Sequence, residues 1–505
     1  MTRILSLPLL VILMGFGAGA MYIPAIYAYI DDDLHVARVF LYGGTLSLIL
    51  TAMIGIAATP GKSSNLARSH LLALLGAFTV LPLMLAVPFY EGLRTTSFLN
   101  AYFEMVSSLT TTGATLFEPN RLPDALHLWR ALVGWMGGFL VWVMAIAVLA
   151  PLNLGGFEVT KNAVSGTGNT QFSQITNTAN ASQRLVRYTA MLFPVYAGLT
   201  LVLWIALLLA GDTPLVAVSH AMSTLATSGI SPIGGVNTAG GSGIAGEAII
   251  FVFLFFAISR LMFSRDRPLR GLLLLRHDPE FRLGGFLILV IPVLLFLRHW
   301  FGAFDADAEL DLFTAFRALW GAMFTVLSFL TTTGFESADW ADTRSWSGLR
   351  TLGLIIMGLA IIGGGVATTA GGVKLMRVYA LYKHGTREME RLLHPSSVGG
   401  AGAHARHIRR YGAQMSWIFF MLFSLSVALV MLALSLTGQN FENAMVFTIA
   451  ALSTTGPLAN VATETPLLYT ELGSAAKGIL AAAMVLGRLE TLAIIALLNP
   501  ALWRT

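Results

Sequence analysis

Ser107-Ser108-Leu109-Thr110-Thr111-Thr112-Gly113 lies between two apolar stretches, each long enough to cross a bilayer. Three more segments of the same kind follow: Ser223-Thr224-Leu225-Ala226-Thr227-Ser228-Gly229, Ser328-Phe329-Leu330-Thr331-Thr332-Thr333-Gly334 and Leu452-Ser453-Thr454-Thr455-Gly456. One hydroxyl-rich segment ending in glycine says little. Four of them, with glycines about 105 to 122 residues apart by their numbering, indicate one unit used four times. Four similar loops can surround one axis, and irregular backbone lining an axis inside a bilayer is a place to strip and carry an ion.

Composition agrees with a bilayer as the solvent. Of 505 residues, 56% are hydrophobic and only 11% charged, where a soluble domain carries about 25%. Length therefore sets a number of spans, each taking about 20 apolar residues. There is no cysteine, which excludes disulfides and thiolate metal sites. The net charge of +5 fits basic loops on one membrane side better than nucleic-acid binding. At the N-terminus, Arg3 precedes an apolar run from Ile4 to Tyr29. Ala18-Gly19-Ala20 could serve as a signal-peptide cleavage site. A retained helix is the preferred reading, because the run continues past Ala20 and Asp31-Asp32-Asp33 then leads into a hairpin partner from Val36 to Ala58.

After this helix pair (1–60), long helix, short helix, Thr/Gly loop and long helix recur. The expected division is 61–155, 156–275, 276–400 and 401–505. The long helices are expected near 69–90 and 128–152, 185–210 and 244–264, 281–301 and a broken stretch at 346–382, and 412–437 and 472–498. The short segments, at 98–112, 214–227, 312–332 and 441–455, should enter the membrane and turn back. The predicted fold class is an all-α integral membrane protein with ten crossings and four re-entrant pore helices around one central pore.

Orientation follows from basic residues. Lys62 and Arg68 share one loop. Arg260, Arg265, Arg267, Arg270, Arg276 and Arg282 lie in or beside another. Lys374, Arg377, Lys383, Arg387, Arg391, Arg406, Arg409 and Arg410 lie in or beside a third. All three fall on one side, which is then cytoplasmic. The other side holds Asp31, Asp32, Asp33, Glu118, Asp124, Asp305, Asp307, Glu309 and Asp311. These acids either concentrate cations at the loop mouths or merely solvate outer loops.

A cation in a membrane needs oxygens in place of its water. Backbone carbonyls supply them without adding full charges that would hold the ion too tightly. Glycine permits the non-helical backbone this requires, and Thr and Ser hydroxyls can satisfy freed backbone groups behind it. The short helices aim their partly negative C-terminal ends at the same place. The candidate ion-binding residues are Thr111, Thr112 and Gly113; Thr227, Ser228 and Gly229; Thr332, Thr333 and Gly334; Thr454, Thr455 and Gly456. Ordinary packing through small residues would account for one such segment, but not for four in the same relative place.

A second feature is Gly363-Gly364-Gly365-Val366-Ala367-Thr368-Thr369-Ala370-Gly371-Gly372-Val373-Lys374, which interrupts an expected membrane helix. Such backbone is tolerated at depth only inside protein or along a water-filled path. The candidate gate is Gly363, Gly364, Gly365, Thr368, Thr369, Gly371, Gly372 and Lys374, the alternative being a glycine-rich crossing of packed helices. A third feature is Arg488, in Gly487-Arg488-Leu489-Glu490, deep inside the apolar run Ala475 to Leu498. An intramembrane arginine needs a cavity or a partner. The carbonyls of the glycine-rich run and Glu490 are the candidates. Arg488 either raises a barrier to cations and pins the gate closed, or forms a structural ion pair between helices.

These residues together resemble the Trk/Ktr/HKT superfamily of potassium transporters, and the Trk branch most closely. The resemblance covers nearly the whole chain, including the N-terminal helix pair. Its most specific pieces are Thr110 to Thr115, Thr331 to Phe335, Gly364 to Lys374 and Gly487 to Glu490. The second loop, Ala226 to Ser231, matches more loosely. The fourth keeps Gly456-Pro457 but not the usual flanks. The resemblance implies one pore per subunit lined by Gly113, Gly229, Gly334 and Gly456, and glycine at all four places is similar to the potassium-preferring members. It also implies a gate loop at Gly364–Lys374, a pore arginine at Arg488 and a homodimer in the cell inner membrane, among membrane lipid. Potassium is then the bound substrate ion, with no covalent cofactor. A cytosolic nucleotide-binding regulatory ring (TrkA-like) is implied for many members. The basic stretch Lys374–Arg410 is either its docking surface or a solvated positive-inside loop.

Potassium uptake down the electrochemical gradient is the leading expectation, with sodium-coupled potassium symport in the same fold left open. An intramembrane enzyme would need a nucleophile or metal cluster. The chain has no HExxH pattern and no pair of spaced intramembrane aspartates, and His70, His127, His220 and His299 read as interface residues near helix ends. A non-conducting scaffold would have no need of four intact loop glycines.

Overall fold

The computed structural model describes residues 7–57, 66–150, 156–160, 181–236, 242–259, 275–276, 278–303, 312–347, 352–394 and 410–489. Among them every regular element is helical. An N-terminal hairpin pairs Leu9–Ala20 and Tyr22–Ile30 with Leu34–Ala57. Its buried Phe40 meets Trp129 edge-on at 5.5 Å, which docks the hairpin on the first unit. Pro24 lies just after the discontinuity at Met21, and Pro82 just after the one at Val80. A proline removes an intrahelical donor at each place.

Four units follow. The first runs from Leu66–Thr79 and Leu81–Leu93 through the short helix Phe98–Leu109 to Asp124–Met144. The second is Ala181–Ala210, Pro214–Ala226 and Gly243–Leu254. The third is Pro279–Ala303, Leu312–Leu330 and Leu352–Ile362, and the fourth Arg410–Ser435, Phe441–Leu452 and Ser474–Leu489. Among the described residues, seven helices are long and apolar enough to cross a membrane. Of the other three expected crossings, Gly243–Leu254 passes into the 3-10 turn Phe255–Ala257, Leu352–Ile362 stops at the glycine-rich run, and Ser474–Leu489 is described as far as Leu489.

The outer helices leave large apolar side chains exposed, such as Leu201, Leu209, Leu289 and Leu429, as lipid contact requires. The short helices are buried instead. In Phe98–Leu109 every residue from Phe103 onward is buried, and in Phe441–Leu452 every residue from Val446 onward. Lipid supplies no hydrophobic drive between helices, so association depends on close packing of small residues. Gly137 and Gly487 play this part in the first and fourth units. A Cβ at Gly137 would lie 2.0 Å from the Leu109 carbonyl oxygen, and one at Gly487 2.3 Å from that of Leu452.

Candidate functional site: four loops on one axis and an intramembrane plug

Each short helix ends three or four residues before its glycine, and the chain then turns in the same way. The threonine two places before the glycine is left-handed in all four loops: φ is 55° at Thr111, 51° at Thr227, 57° at Thr332 and 55° at Thr454. For a β-branched residue this conformation is an outlier that the surroundings must hold in place. The holding bonds repeat. Thr111 N–H donates to Ser108 O, Thr332 to Phe329 O and Thr454 to Ala451 O, at 2.9, 3.1 and 3.2 Å. The next amides, of Thr112, Ser228, Thr333 and Thr455, reach back five residues at 2.8 to 2.9 Å.

The loops close a ring. A Cβ at Gly113 would lie 1.9 Å from Ser228 O of the second loop, and one at Gly229 2.2 Å from Thr333 O of the third. One at Gly334 would lie 3.0 Å from Pro457 Cγ of the fourth, and one at Gly456 2.2 Å from Ala114 N of the first. First to second to third to fourth to first, each glycine faces the next loop, so the four surround one axis. Gly456 N–H also donates to Thr112 O at 2.6 Å.

Loops one, three and four share a hydroxyl brace. Thr110 and Thr112 hydroxyls lie 2.8 Å apart, those of Thr331 and Thr333 3.1 Å, and those of Ser453 and Thr455 3.2 Å. The second loop has Ala226 at the first of these positions, and Ser228 Oγ donates to Ser223 Oγ instead. The fourth loop departs differently. Gly113, Gly229 and Gly334 are left-handed, but Gly456 is not, because the residue before a proline is pushed toward extended backbone. Its carbonyl accepts from Tyr469 O–H at 2.9 Å. The two loops that match the family pattern less closely are thus the two that differ in detail.

Buried charges stand behind the loops. Glu104 accepts from Leu116 N–H at 3.1 Å and meets Arg130 Nε at 2.6 Å, both side chains almost fully buried. Glu247 accepts from Trp320 Nε1, Ser337 Oγ and Ala338 N–H at 3.0, 2.8 and 2.6 Å, which ties the second unit to the short helix before Gly334 and to the segment after it. His220 is a correction to the interface reading. It is buried within its short helix, its Nε2 2.9 Å from Ser231 Oγ and its Nδ1 3.9 Å from Asp212. Ser231 donates to Gly235 O, so His220 Nε2–H is the donor to Ser231. Burial pushes the Asp212 carboxyl up, but His220 and Ser242 pull it further down, below the ordinary carboxylate range. His127 is buried as well, bonded to Pro119 O at 2.9 Å. Nothing in the periodicity singles out Glu104, Arg130 or Glu247. The available signal is a lone charge inside an apolar helix.

The run Gly363–Lys374 leaves helical geometry and folds back, with Val373 N–H on Ile361 O and Lys374 N–H on Ile362 O, both at 2.8 Å. Val366 N–H donates to the buried Glu280 at 2.8 Å. The middle of the run lies against the ring: Thr369 Oγ1 donates to Leu225 O at 3.0 Å and Gly371 N–H to Thr332 Oγ1 at 2.7 Å. Arg488 Nη2 donates to Thr369 O at 2.7 Å. Of the two partners expected for Arg488, a carbonyl of the run is therefore the one observed, and Glu490 lies outside the described residues. Gly363, Gly364, Gly365 and Gly372 form the neck of this fold, while Thr368 and Lys374 bond within it, to Gly365 O and Ala370 O. A cavity of about 30 Å³ lies beside the run, lined by Val141, Ala145, Thr368, Lys374 and Arg488 and bordered by the Ala145–Leu149 π-turn.

Two basic residues assigned to the cytoplasmic surface are not on it. Lys374 is buried, and Arg377 is fully buried, bonded to Val373 O and stacked 3.7 Å over the Phe419 ring. The exposed charges of Leu375–Leu393 include Lys383 and Arg391. On the other side Asp31, Asp32, Glu118 and Asp124 are exposed. Asp305, Asp307, Glu309, Asp311, Lys62, Arg260, Arg265, Arg267, Arg270, Arg406 and Arg409 lie outside the described residues.

A multi-pass membrane protein with four pseudo-repeated units about one pore is a transport protein in class. The chain belongs to the TrkH cation transport protein family, whose model matches residues 39–503. It is similar to the Trk system potassium uptake protein TrkH of Escherichia coli K12, 30% identical over all of this chain and 99% of the relative. It is also similar to that of Halomonas elongata, 32% identical over 86% and 84% of the two chains. Among solved structures, the crystal structure of the potassium transporter TrkH from Vibrio parahaemolyticus superposes with a TM-score of 0.79 at 26% identity, over 99% of this chain and all of that one.

Proposed function

We propose that the chain mediates potassium uptake across the cell inner membrane through the axis ringed by the four loops. It acts as a transporter, not an enzyme. The observation that carries this is the cyclic approach of the four glycines, each facing the next loop. Peptide and hydroxyl oxygens gathered on one axis replace a monovalent ion's water without binding it irreversibly. Thr111 to Gly113, Thr227 to Gly229, Thr332 to Gly334 and Thr454 to Gly456 are the proposed filter.

The run Gly363–Lys374 is the proposed gate, held in its closed position by Arg488. What supports this is its seat against Leu225 and Thr332 and the charge of Arg488 on Thr369 O. The boundaries at 60, 155, 275 and 400 are proposed as the limits of the four units and the N-terminal pair. A homodimer and a cytosolic nucleotide-binding regulatory ring are proposed as partners, the second docking on the exposed basic face around Lys383 and Arg391.

Rubidium influx into proteoliposomes tests the function. Influx driven by an inside-negative potential, with little sodium influx, is the expected outcome. No influx with or without a regulatory partner refutes it.

A further inference from the structure

The four left-handed threonines share a backbone conformation, but their hydroxyls have different fates. Thr227 Oγ1 donates to Ala226 O at 2.7 Å. Thr111 Oγ1 and Thr454 Oγ1 are wholly buried and have no hydrogen-bond partner. Thr332 Oγ1, equally buried, accepts the Gly371 N–H of the intramembrane run at 2.7 Å. Gly371 also lies directly against the fourth loop: a Cβ there would be 2.2 Å from Thr454 Oγ1 and 2.3 Å from Ser453 O. The tip of the run therefore sits on the hydroxyls that border the inner end of the ring.

We propose that Thr332 is the latch between filter and gate, and that the permeant cation itself releases it. The proposal rests on the pore reading above. A buried hydroxyl without a partner is unfavourable; Thr454 Oγ1 lies beside Gly371 as Thr332 Oγ1 does, and Thr111 holds the equivalent left-handed position in the first loop. A dehydrated monovalent cation is the ligand that unpaired oxygens of this kind accept. With Gly371 N–H on Thr332 Oγ1, a partly positive hydrogen occupies the place where that cation would take its third hydroxyl ligand. In a medium of low dielectric the two positive groups exclude each other. Cation occupancy of the inner hydroxyl position and closure of the run then compete for one oxygen. The open fraction rises with permeant-ion concentration even without a regulatory subunit. Arg488 acts on the same segment through Thr369 O, two residues before Gly371.

The absence of cysteine makes the test direct. Thr368→Cys places the only thiol of the chain in the buried lining of the cavity beside the run. The rate of its modification by a water-soluble thiol reagent from the cytoplasmic side is measured in proteoliposomes, in potassium and in choline at equal ionic strength. Loss of one hydrogen bond corresponds to about a five- to tenfold change in the open fraction, so modification is expected to be about five- to tenfold faster in potassium. Adding Thr332→Val should make it fast in both salts, and adding Thr332→Ser, which keeps the hydroxyl, should restore the dependence. Equal rates in the two salts from protein that conducts rubidium overturn the latch and leave the pore reading standing. So does a potassium dependence that survives Thr332→Val. Absence of rubidium flux in every variant and in the parent overturns both.

Discussion

Replacing Arg488 with glutamine keeps a polar side chain with an N–H donor, though a shorter one, while removing the charge. In the structure its guanidinium gives Thr369 O a hydrogen bond of 2.7 Å, with the side chain only 6% exposed. A hydrogen bond from a charged donor contributes about 1.5–3 kcal/mol. If that energy holds the run against the ring, its loss shifts the closed-to-open balance about 10- to 150-fold. Removing the positive charge also lowers the electrostatic barrier beneath the filter, which acts in the same direction. The assay is rubidium influx into proteoliposomes without a regulatory partner, with Arg488→Gln and the parent matched for protein content and melting temperature. Influx should rise at least tenfold unless the parent already conducts maximally. Influx within a factor of two of the parent, from protein that melts at the parent's temperature, would refute the barrier role and leave Arg488 a structural tie between Ser474–Leu489 and the run.

The ring glycines should not be equal. Both Gly113 and Gly334 are left-handed, but Gly113→Ala places its Cβ 1.9 Å from a backbone carbonyl oxygen whereas Gly334→Ala meets the Pro457 ring at 3.0 Å, so the first should lose rubidium-over-sodium preference more completely; equal reversal potentials would contradict the ring geometry. Glu104→Ala leaves Arg130 buried and unpaired, a loss of about 3–5 kcal/mol, visible as a fall in melting temperature in detergent; a change equivalent to less than about 1 kcal/mol would show that the pair carries no such load. Asp212 sets an acid limit. Its folded carboxyl sits below the ordinary carboxylate range, so its stabilisation is complete above the unfolded value near pH 4 and is lost as pH falls through the lower folded one. Melting temperature should show no contribution from Asp212 titration between about pH 8 and 5, and Asp212→Asn should reduce the steepness of the acid decline; an unchanged acid profile in that variant would sink the assignment.

The hydroxyl-rich loops were legible because their function depends on residue type at fixed spacing. Glycine is the residue that lets backbones meet, and Ser and Thr are the ones that satisfy a broken helix end. The weaker pattern of the second and fourth loops also had content: Ala226 removes one hydroxyl of the brace, and Pro457 keeps Gly456 out of the left-handed region. Glu247 was not legible, since its three donors come from Trp320, Ser337 and Ala338, 73 to 91 residues away. Lys374 and Arg377 were misplaced on the surface for a related reason. A basic residue beside a cytoplasmic loop reads as solvated until its partners, here Ala370 O, Val373 O and the Phe419 ring, are found facing it.

By itself the order of residues determined that this chain lives in a bilayer, repeats one unit four times, breaks its helices at four hydroxyl-rich loops and one glycine-rich run, and carries a charge at Arg488. Each of these is a local matter of hydropathy, period and backbone freedom. Only the tertiary structure decided that the four glycines face one another in a ring, that Gly371 bonds to Thr332, and that Arg488 chooses Thr369 O. Those contacts join residues 39 to 342 positions apart in the chain, and local propensity carries no information about which distant oxygen a buried donor will meet.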